Sequence, residues 1–214
     1  MSVIEKYNYI STLLNSLSKK TKLIVVTKSQ DVDKINIIIK QGHKDFGENK
    51  VQEAVFKWKN LLLHKEDLNL HLIGKLQSNK ANEAFNIFKY IHTLDNEKLA
   101  KLFNKFESDG KRKIKYFIQV NVGNEIQKNG ISASLLKEFV NFCKFDLKLD
   151  IIGLMCIPPV SLDSSFYFQE LSKLAKDNNL KDLSMGMSND YISAIENGST
   201  FVRIGSGIFG ERFN

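Results

Sequence analysis

Arginine, proline and cysteine are scarce in this sequence of 214 residues. The two cysteines, Cys143 and Cys156, lack metal-ligand spacing, which excludes a disulfide scaffold and favours a reducing compartment. Long apolar runs are also missing, since no stretch approaches the roughly 20 residues that a membrane helix needs. The residues Met1 to Lys6 lack the basic and apolar segments of a secretory signal. We therefore expect a cytoplasmic chain that does not associate with membranes.

The excess of positive charge comes almost entirely from lysine. The formal net charge is +7, and only three of the 31 basic residues are arginine. The densest basic cluster, residues 111–113 with Lys115, lies in a predicted turn and lacks the interleaved aromatic side chains that stack on bases. We expect no nucleic-acid partner, and a protein that acts through its basic surface is the alternative.

Strand-like and helix-like segments alternate along the whole chain. The predicted strands cover residues 23–28, 45–47, 70–74, 90–94, 116–122, 149–157, 183–187 and 201–204. Strict alternation implies parallel strands joined by right-handed crossovers, and eight repeats suit closure into a barrel. We predict an α/β fold, a (β/α)8 TIM barrel in a single domain over residues 1–214, with an extra N-terminal helix over residues 2–18. An open doubly wound sheet is the alternative, because periodicity does not show closure.

Polar and glycine residues follow the predicted strands at their carboxyl ends, where such folds carry their chemistry. Lys28 follows the apolar run from Leu23 to Val26, and Asn49 follows the second strand. Arg203 lies in the last strand. For an arbitrary lysine in this position, a solvated residue after a core strand is the alternative interpretation.

The loops after the last two strands resemble a phosphate site. They hold Ser188 and the run Gly205-Ser206-Gly207, residues small enough for backbone N–H groups to approach an anion. The same glycines match a dinucleotide fingerprint, but that fingerprint requires a βαβ unit that does not follow here. Tight turns without a ligand are the alternative.

A phosphate cradle, a lysine and an arginine are the parts that a pyridoxal phosphate site needs. Lys28 would provide the amine for the Schiff base, and Arg203 would face the pyridine nitrogen. Because an arginine is permanently cationic, it would keep that nitrogen unprotonated and make the ring a weaker electron sink.

Six stretches of the sequence, in the expected order, resemble the pyridoxal phosphate homeostasis protein family. They are residues 26–29, 46–53, 71–80, 153–155, 183–188 and 198–205. The resemblance implies a barrel similar to the N-terminal domain of alanine racemase, with pyridoxal 5'-phosphate held as a Schiff base on Lys28. It implies contacts of Arg203 with the pyridine nitrogen, of Asn49 with the ring oxygen, and of the phosphate with Ser188, Gly205 and Ser206.

The resemblance further implies a carrier or buffer in the intracellular homeostasis of this vitamin B6 cofactor, not an enzyme. Apo forms of pyridoxal-phosphate-dependent enzymes are the expected partners, and the chain is expected to be a monomer. A minimal amino-acid racemase is the alternative, although alanine racemase uses a second domain and a tyrosine base. Many family members carry a second lysine where this chain has Gln30, and Lys75, Lys80 or Lys128 would have to replace it.

The four histidines do not match a metal-binding pattern, so we expect no metal. Their spacing contains no HExxH motif, and no GxSxG or phosphate-loop motif occurs elsewhere. His71 and His92 lie on adjacent predicted strands, where we expect satisfied core histidines. Trp58 falls on the apolar face of its helix, and we expect it only to pack.

Overall fold

Eight short, largely apolar segments form the strands of one closed parallel barrel in the computed structural model, which describes residues 1–110, 112–125, 127, 129–159 and 163–210. Each strand pairs with its neighbours in the sequence, and the first pairs with the last. The predicted barrel is therefore confirmed, and the open sheet is wrong. The strands are β1 Lys22–Val26, β2 Asp45–Glu48, β3 Asn69–Leu72, β4 Tyr90–Leu94, β5 Lys115–Gln119, β6 Asp150–Met155, β7 Asp182–Met187 and β8 Phe201–Ile204.

Helices surround the barrel and connect successive strands. A 3-10 turn at Ser78–Lys80 precedes the fourth helix, and a π-helical turn at Phe142–Asp146 follows the sixth. The α-helices of the described residues are α1 Val3–Leu17, α2 Val32–Lys40, α3 Val51–His64, α4 Ala81–Ile87, α5 Glu97–Asp109, α6 Leu136–Asn141, α7 Ser164–Asp177, α8 Tyr191–Glu196 and α9 Ser206–Phe209.

The predicted extra N-terminal helix is α1, and a capping box fixes where it begins. The Glu5 backbone N–H donates to Ser2 Oγ at 3.3 Å, and the Ser2 N–H donates to Glu5 Oε2 at 2.7 Å. Its buried face carries Tyr7, Ile10 and Leu14. The helix packs against α9 and α2, so it forms part of the helical layer outside the barrel.

Apolar side chains fill the barrel interior as well as the layer between strands and helices. Ile24, Phe117, Met155 and Phe201 form the inner cluster, and all of them are buried. Because successive residues of a strand point to opposite faces, the neighbours of these residues pack outward against the helices. The interior is therefore a packed core below an open end.

Some predicted boundaries differ from the structure by a few residues. The first strand ends at Val26, so Lys28 lies in the loop after it. The helix predicted near residues 134–145 divides into α6 and the π-helical turn, and α9 was not predicted. Four-residue helices carry too little periodicity to be read from a sequence.

No helix among the described residues is long and apolar enough to cross a membrane. The assignment of residues 1–214 to one domain stays a prediction.

Candidate functional site

A cavity of about 730 Å³ opens at the carboxyl ends of the strands. It contains residues from both ends of the chain, because β1 and β8 are neighbours in the closed barrel. All six residues predicted to contact the cofactor line it, namely Lys28, Asn49, Ser188, Arg203, Gly205 and Ser206. Their individual contacts with a ligand stay predictions.

The backbone on both sides of Lys28 is held from outside the barrel. The Lys57 ammonium donates to the carbonyl of Thr27 at 2.6 Å, and the N–H of Ser29 donates to the Glu53 carboxylate. Ser29 has a φ of 58°, a left-handed conformation that turns the chain sharply after the strand. Lys28 is thus presented to the cavity from a fixed loop.

A buried carboxylate organises this support. Glu48 Oε1 accepts hydrogen bonds from Thr27 Oγ1 at 2.6 Å and from Trp58 Nε1 at 3.0 Å. It also lies 2.7 Å from Lys57 Nζ. The prediction that Trp58 only packs is therefore wrong, since its indole N–H completes the surroundings of Glu48. The sequence offered one signal, since Glu53 and Lys57 are four residues apart on one helix.

Arg203 forms the buried floor of the cavity. Its side chain is 3% exposed, and it donates to Ser184 Oγ at 2.7 Å and to the carbonyl of Cys156 at 2.9 Å. Burial lowers the pKa of Arg203, but a guanidinium stays charged in proteins. Within the described part of the chain, no carboxylate lies within ion-pair distance of it. The floor therefore presents a cation without a carboxylate at ion-pair distance, and Asp190, which also lines the cavity, interacts with it electrostatically.

The two interior histidines are hydrogen-bonded to each other. His71 Nδ1 lies 2.9 Å from His92 Nε2, and His71 Nε2 lies 3.1 Å from Asp45 Oδ1. His92 Nδ1 lies 2.8 Å from Ser184 Oγ, the atom that accepts from Arg203. The prediction of satisfied core histidines in adjacent strands is confirmed, but sequence reasoning missed that they lead to the cavity floor.

Close backbone contacts set the rim of the cavity. A Cβ atom at Gly74 would lie 2.2 Å from the carbonyl oxygen of Asn49, so the two loops touch there. A Cβ atom at Gly205 would lie 3.2 Å from the carbonyl oxygen of Val26. Ser188 Oγ accepts from the N–H of Gly207 at 3.2 Å, which joins the last two loops.

The second lysine of many family members is absent here, and the lysines that would have to replace it differ in their surroundings. Gln30 lines the cavity in the place of the second family lysine. Lys80 donates to Glu83 at 2.9 Å, and Lys128 lies outside the described residues. In the described part of the chain, no group of three His, Cys, Asp or Glu side chains is arranged to hold a metal ion.

The fold is that of the barrel domain found in alanine racemases. Residues 6–213 match the sequence model of the family described as "Alanine racemase, N-terminal domain". An alanine racemase from Corynebacterium glutamicum superposes with a TM-score of 0.73 at 14% identity, covering 97% of this chain and 62% of that enzyme, a likeness of fold alone.

Several curated relatives are named "Pyridoxal phosphate homeostasis protein", and two of them show the extent of the likeness. The protein from Buchnera aphidicola is 34% identical over 215 residues, covering 96% of this chain and 93% of the relative. The protein from Aquifex aeolicus is 37% identical over 200 residues, covering 89% and 87%. This chain belongs to the pyridoxal phosphate homeostasis protein family.

A solved structure of a similar protein contains the cofactor. PipY of Synechococcus elongatus with pyridoxal phosphate bound is 30% identical, has a TM-score of 0.86, and matches 98% of this chain and 100% of its own. Its structure without the cofactor has a TM-score of 0.87 at 31% identity.

Proposed function

We propose that this chain binds pyridoxal 5'-phosphate and acts as a carrier or buffer in the homeostasis of that cofactor. One observation carries the proposal: a lysine and a buried arginine line the same cavity as the small residues of the last two loops. The cavity volume, about 730 Å³, is within the range of small-molecule sites. PipY, which is similar to this chain, has the cofactor bound in its solved structure, and this supports the proposal.

Lys28 is the residue that would bond to the cofactor covalently. When bound, pyridoxal phosphate supplies an aldehyde and an electron-withdrawing pyridine ring. The primary amine of Lys28 is a suitable nucleophile for that aldehyde, because its loop is held by Lys57 and Glu53 and its side chain lines the cavity.

Arg203 would face the pyridine nitrogen. Its guanidinium is held by Ser184 and by the carbonyl of Cys156, and these two hydrogen bonds use two of the five N–H donors that a guanidinium carries. A permanent cation beside the ring nitrogen opposes its protonation and so weakens the electron sink. This disfavours chemistry that depends on a strong carbanion stabiliser.

The last two loops would hold the phosphate. Ser188 provides a hydroxyl, and Gly205 and Ser206 lead into α9 with small side chains that leave the backbone accessible. Backbone N–H groups in such turns stabilise anions. Asn49, on the opposite rim, is the residue that we assign to the ring oxygen.

The first experiment measures uptake of the cofactor. We expect the purified protein, mixed with pyridoxal phosphate, to develop a visible absorption band, and borohydride to fix the cofactor on Lys28 in a peptide map. Lys28→Ala is expected to abolish the band. Lys40→Ala, which removes an exposed lysine at the end of α2, serves as the matched control and should bind normally. A wild-type protein that takes up no cofactor would refute the proposal.

The second experiment separates the carrier from the racemase. We expect no racemisation of the common amino acids by the loaded protein, and transfer of its cofactor to an apo enzyme that depends on pyridoxal phosphate. Racemisation that disappears in Lys28→Ala would favour the enzyme instead. We propose further that the carrier is a monomer and acts in the cytoplasm, which sedimentation and cell fractionation would test.

A further inference from the structure

An unbroken path of hydrogen bonds runs through the barrel from Arg203 to Asp45. Its four links are Arg203 Nη1 to Ser184 Oγ at 2.7 Å, Ser184 Oγ to His92 Nδ1 at 2.8 Å, His92 Nε2 to His71 Nδ1 at 2.9 Å, and His71 Nε2 to Asp45 Oδ1 at 3.1 Å. Ser184, His92 and His71 are completely buried. The path therefore joins the cavity floor to a carboxylate at the opposite end of the barrel.

The chemistry of the two ends determines the direction of every link. Arg203 can only donate. At the other end, burial opposes ionisation of Asp45, but hydrogen bonds from His71 and Asn69 hold its pKa below the ordinary value, so Asp45 is an ionised carboxylate that can only accept. His71 must then carry its hydrogen on Nε2.

The remaining hydrogens follow from this assignment. Burial lowers the pKa of both histidines, most strongly that of His92, which also lies near Arg203, so each imidazole is neutral with one N–H. With the His71 hydrogen on Nε2, its Nδ1 accepts from His92 Nε2–H. His92 Nδ1 accepts in turn from the Ser184 hydroxyl, and Ser184 Oγ accepts from Arg203. Each inner member donates once and accepts once within the path.

Aromatic rings hold both imidazoles in the planes that the path requires. His71 is stacked on Tyr90 with ring centroids 4.2 Å apart, and His92 is stacked on Phe117 at 4.3 Å. Asn69 donates to Asp45 Oδ1 at 3.1 Å, which orients the carboxylate. The stacking therefore fixes the two ring planes, and the hydrogen bonds fix which nitrogen of each ring faces which partner.

We infer that Asp45, His71, His92 and Ser184 are positioning residues that act as one directional hydrogen-bond chain and hold Arg203 in a single orientation toward the cavity. The inference rests on the proposed function only where it assigns the pyridine nitrogen as the group that Arg203 meets. If the direction were reversed, Ser184 Oγ would accept from both His92 and Arg203, and the hydroxyl hydrogen of Ser184 would need another acceptor. The Asp45 carboxylate excludes that state because it cannot donate.

The direction can be tested on the protein without cofactor. In ¹⁵N-edited NMR spectra of the imidazoles, we expect His71 and His92 both to be neutral Nε2–H tautomers. A protonated imidazole, or an Nδ1–H tautomer at His92, would overturn the inference. This result does not depend on whether the protein binds pyridoxal phosphate.

The positioning role needs a second readout and a matched control. In Ser184→Ala, we expect the separate, slowly exchanging guanidinium N–H signals of Arg203 to merge. Ser199→Ala removes another buried serine hydroxyl, which donates to backbone carbonyls of β7 and β8, and should leave those signals separate. Ser184→Thr should restore them. Unchanged Arg203 signals in a folded Ser184→Ala protein would refute the positioning role.

Binding of the cofactor provides the final comparison. We expect Ser184→Ala to weaken binding of pyridoxal phosphate about tenfold and to shift the absorption band of the bound cofactor, because a buried donor loses its acceptor. Ser199→Ala should change neither. Equal weakening by both variants would contradict the positioning role. A wild-type protein that does not bind the cofactor would refute the proposed function, and the NMR measurements would then decide the positioning role by themselves.

Discussion

Lys57 Nζ lies 2.7 Å from Glu48 Oε1 and 2.6 Å from the carbonyl oxygen of Thr27, the residue before Lys28. The Lys57 and Glu48 side chains are 6% and 0% exposed. The buried ion pair thus joins α3 to β2, and Lys57 also donates to the loop that presents the candidate cofactor lysine. Glu48 Oε2 has no hydrogen-bond partner among the described residues, so Glu48 depends on the contacts of its other oxygen.

Removing one member of this pair should be strongly destabilising. Lys57→Met leaves the Glu48 carboxylate buried and uncompensated, for which we expect a loss of about 3–5 kcal/mol in the free energy of unfolding. Urea unfolding followed by the fluorescence of Trp58, the only tryptophan, measures this. Lys59→Met, at an exposed position of the same helix, should change stability by less than about 0.5 kcal/mol. A similar small effect of Lys57→Met would contradict the importance of the pair.

A glycine is needed at position 74 because a larger side chain would not fit there, and not because the backbone has a positive φ. An alanine there would collide with the backbone of Asn49, because its Cβ would lie 2.2 Å from a carbonyl oxygen. We expect Gly74→Ala to lower the free energy of unfolding by about 1–3 kcal/mol and to weaken cofactor binding through the displaced Asn49 loop.

Gly42 provides the matched control for Gly74. It has a φ of +81°, and a Cβ atom there would meet nothing within 4 Å. Gly42→Ala should therefore cost about 1–2 kcal/mol of stability through backbone strain alone and leave cofactor binding unchanged. If both variants weakened binding equally, the contact between Gly74 and Asn49 would have no special part in the site.

Stability should fall as the pH drops below about 6.5, the ordinary pKa of histidine. Burial lowers the pKa of His43, His71 and His92 in the folded protein. Below that pH the unfolded chain binds protons that the folded protein does not, so unfolding is favoured by up to about 1.4 kcal/mol per pH unit for each group. Urea unfolding between about pH 8 and about pH 5 measures the slope.

A histidine variant tests the source of this pH dependence of the free energy of unfolding. His92→Gln should reduce the pH dependence by removing one of the three groups, even though the variant is less stable at every pH. A slope that His92→Gln does not reduce would show that His92 is not a source of the pH dependence.

Polynucleotides should not bind tightly at physiological salt, despite the net charge of +7. The described arginines are already engaged: Arg112 donates to the carbonyls of Asn86 and Phe88, and Arg203 is buried. Arg212 lies outside the described residues. Fluorescence anisotropy with mixed-sequence single-stranded DNA at about 0.15 M salt measures this, and salt-sensitive binding would favour the basic-surface alternative.

Much of the fold and the choice of cavity residues were predictable from the sequence because they depend on local patterns. Apolar runs of strand length alternate with amphipathic helices, and this order favours a parallel barrel whose carboxyl ends meet. Lys28, Asn49 and Ser188 follow strands, which was enough to predict that they line one cavity, and they do. Their contacts with the cofactor remain predictions, since they depend on the ligand itself.

Closure of the barrel and its buried polar contacts were decided only by the tertiary structure. Asp45, His71, His92, Ser184 and Arg203 come from five different strands. Their spacing placed His71 and His92 on adjacent strands, but it did not indicate the other contacts of the group. The sequence determined which residues of each strand share a face, because side chains alternate along a strand. Which of them meet across the barrel depends on the register of strands far apart in the chain, and the low polarity of the interior then requires these polar groups to bond to one another.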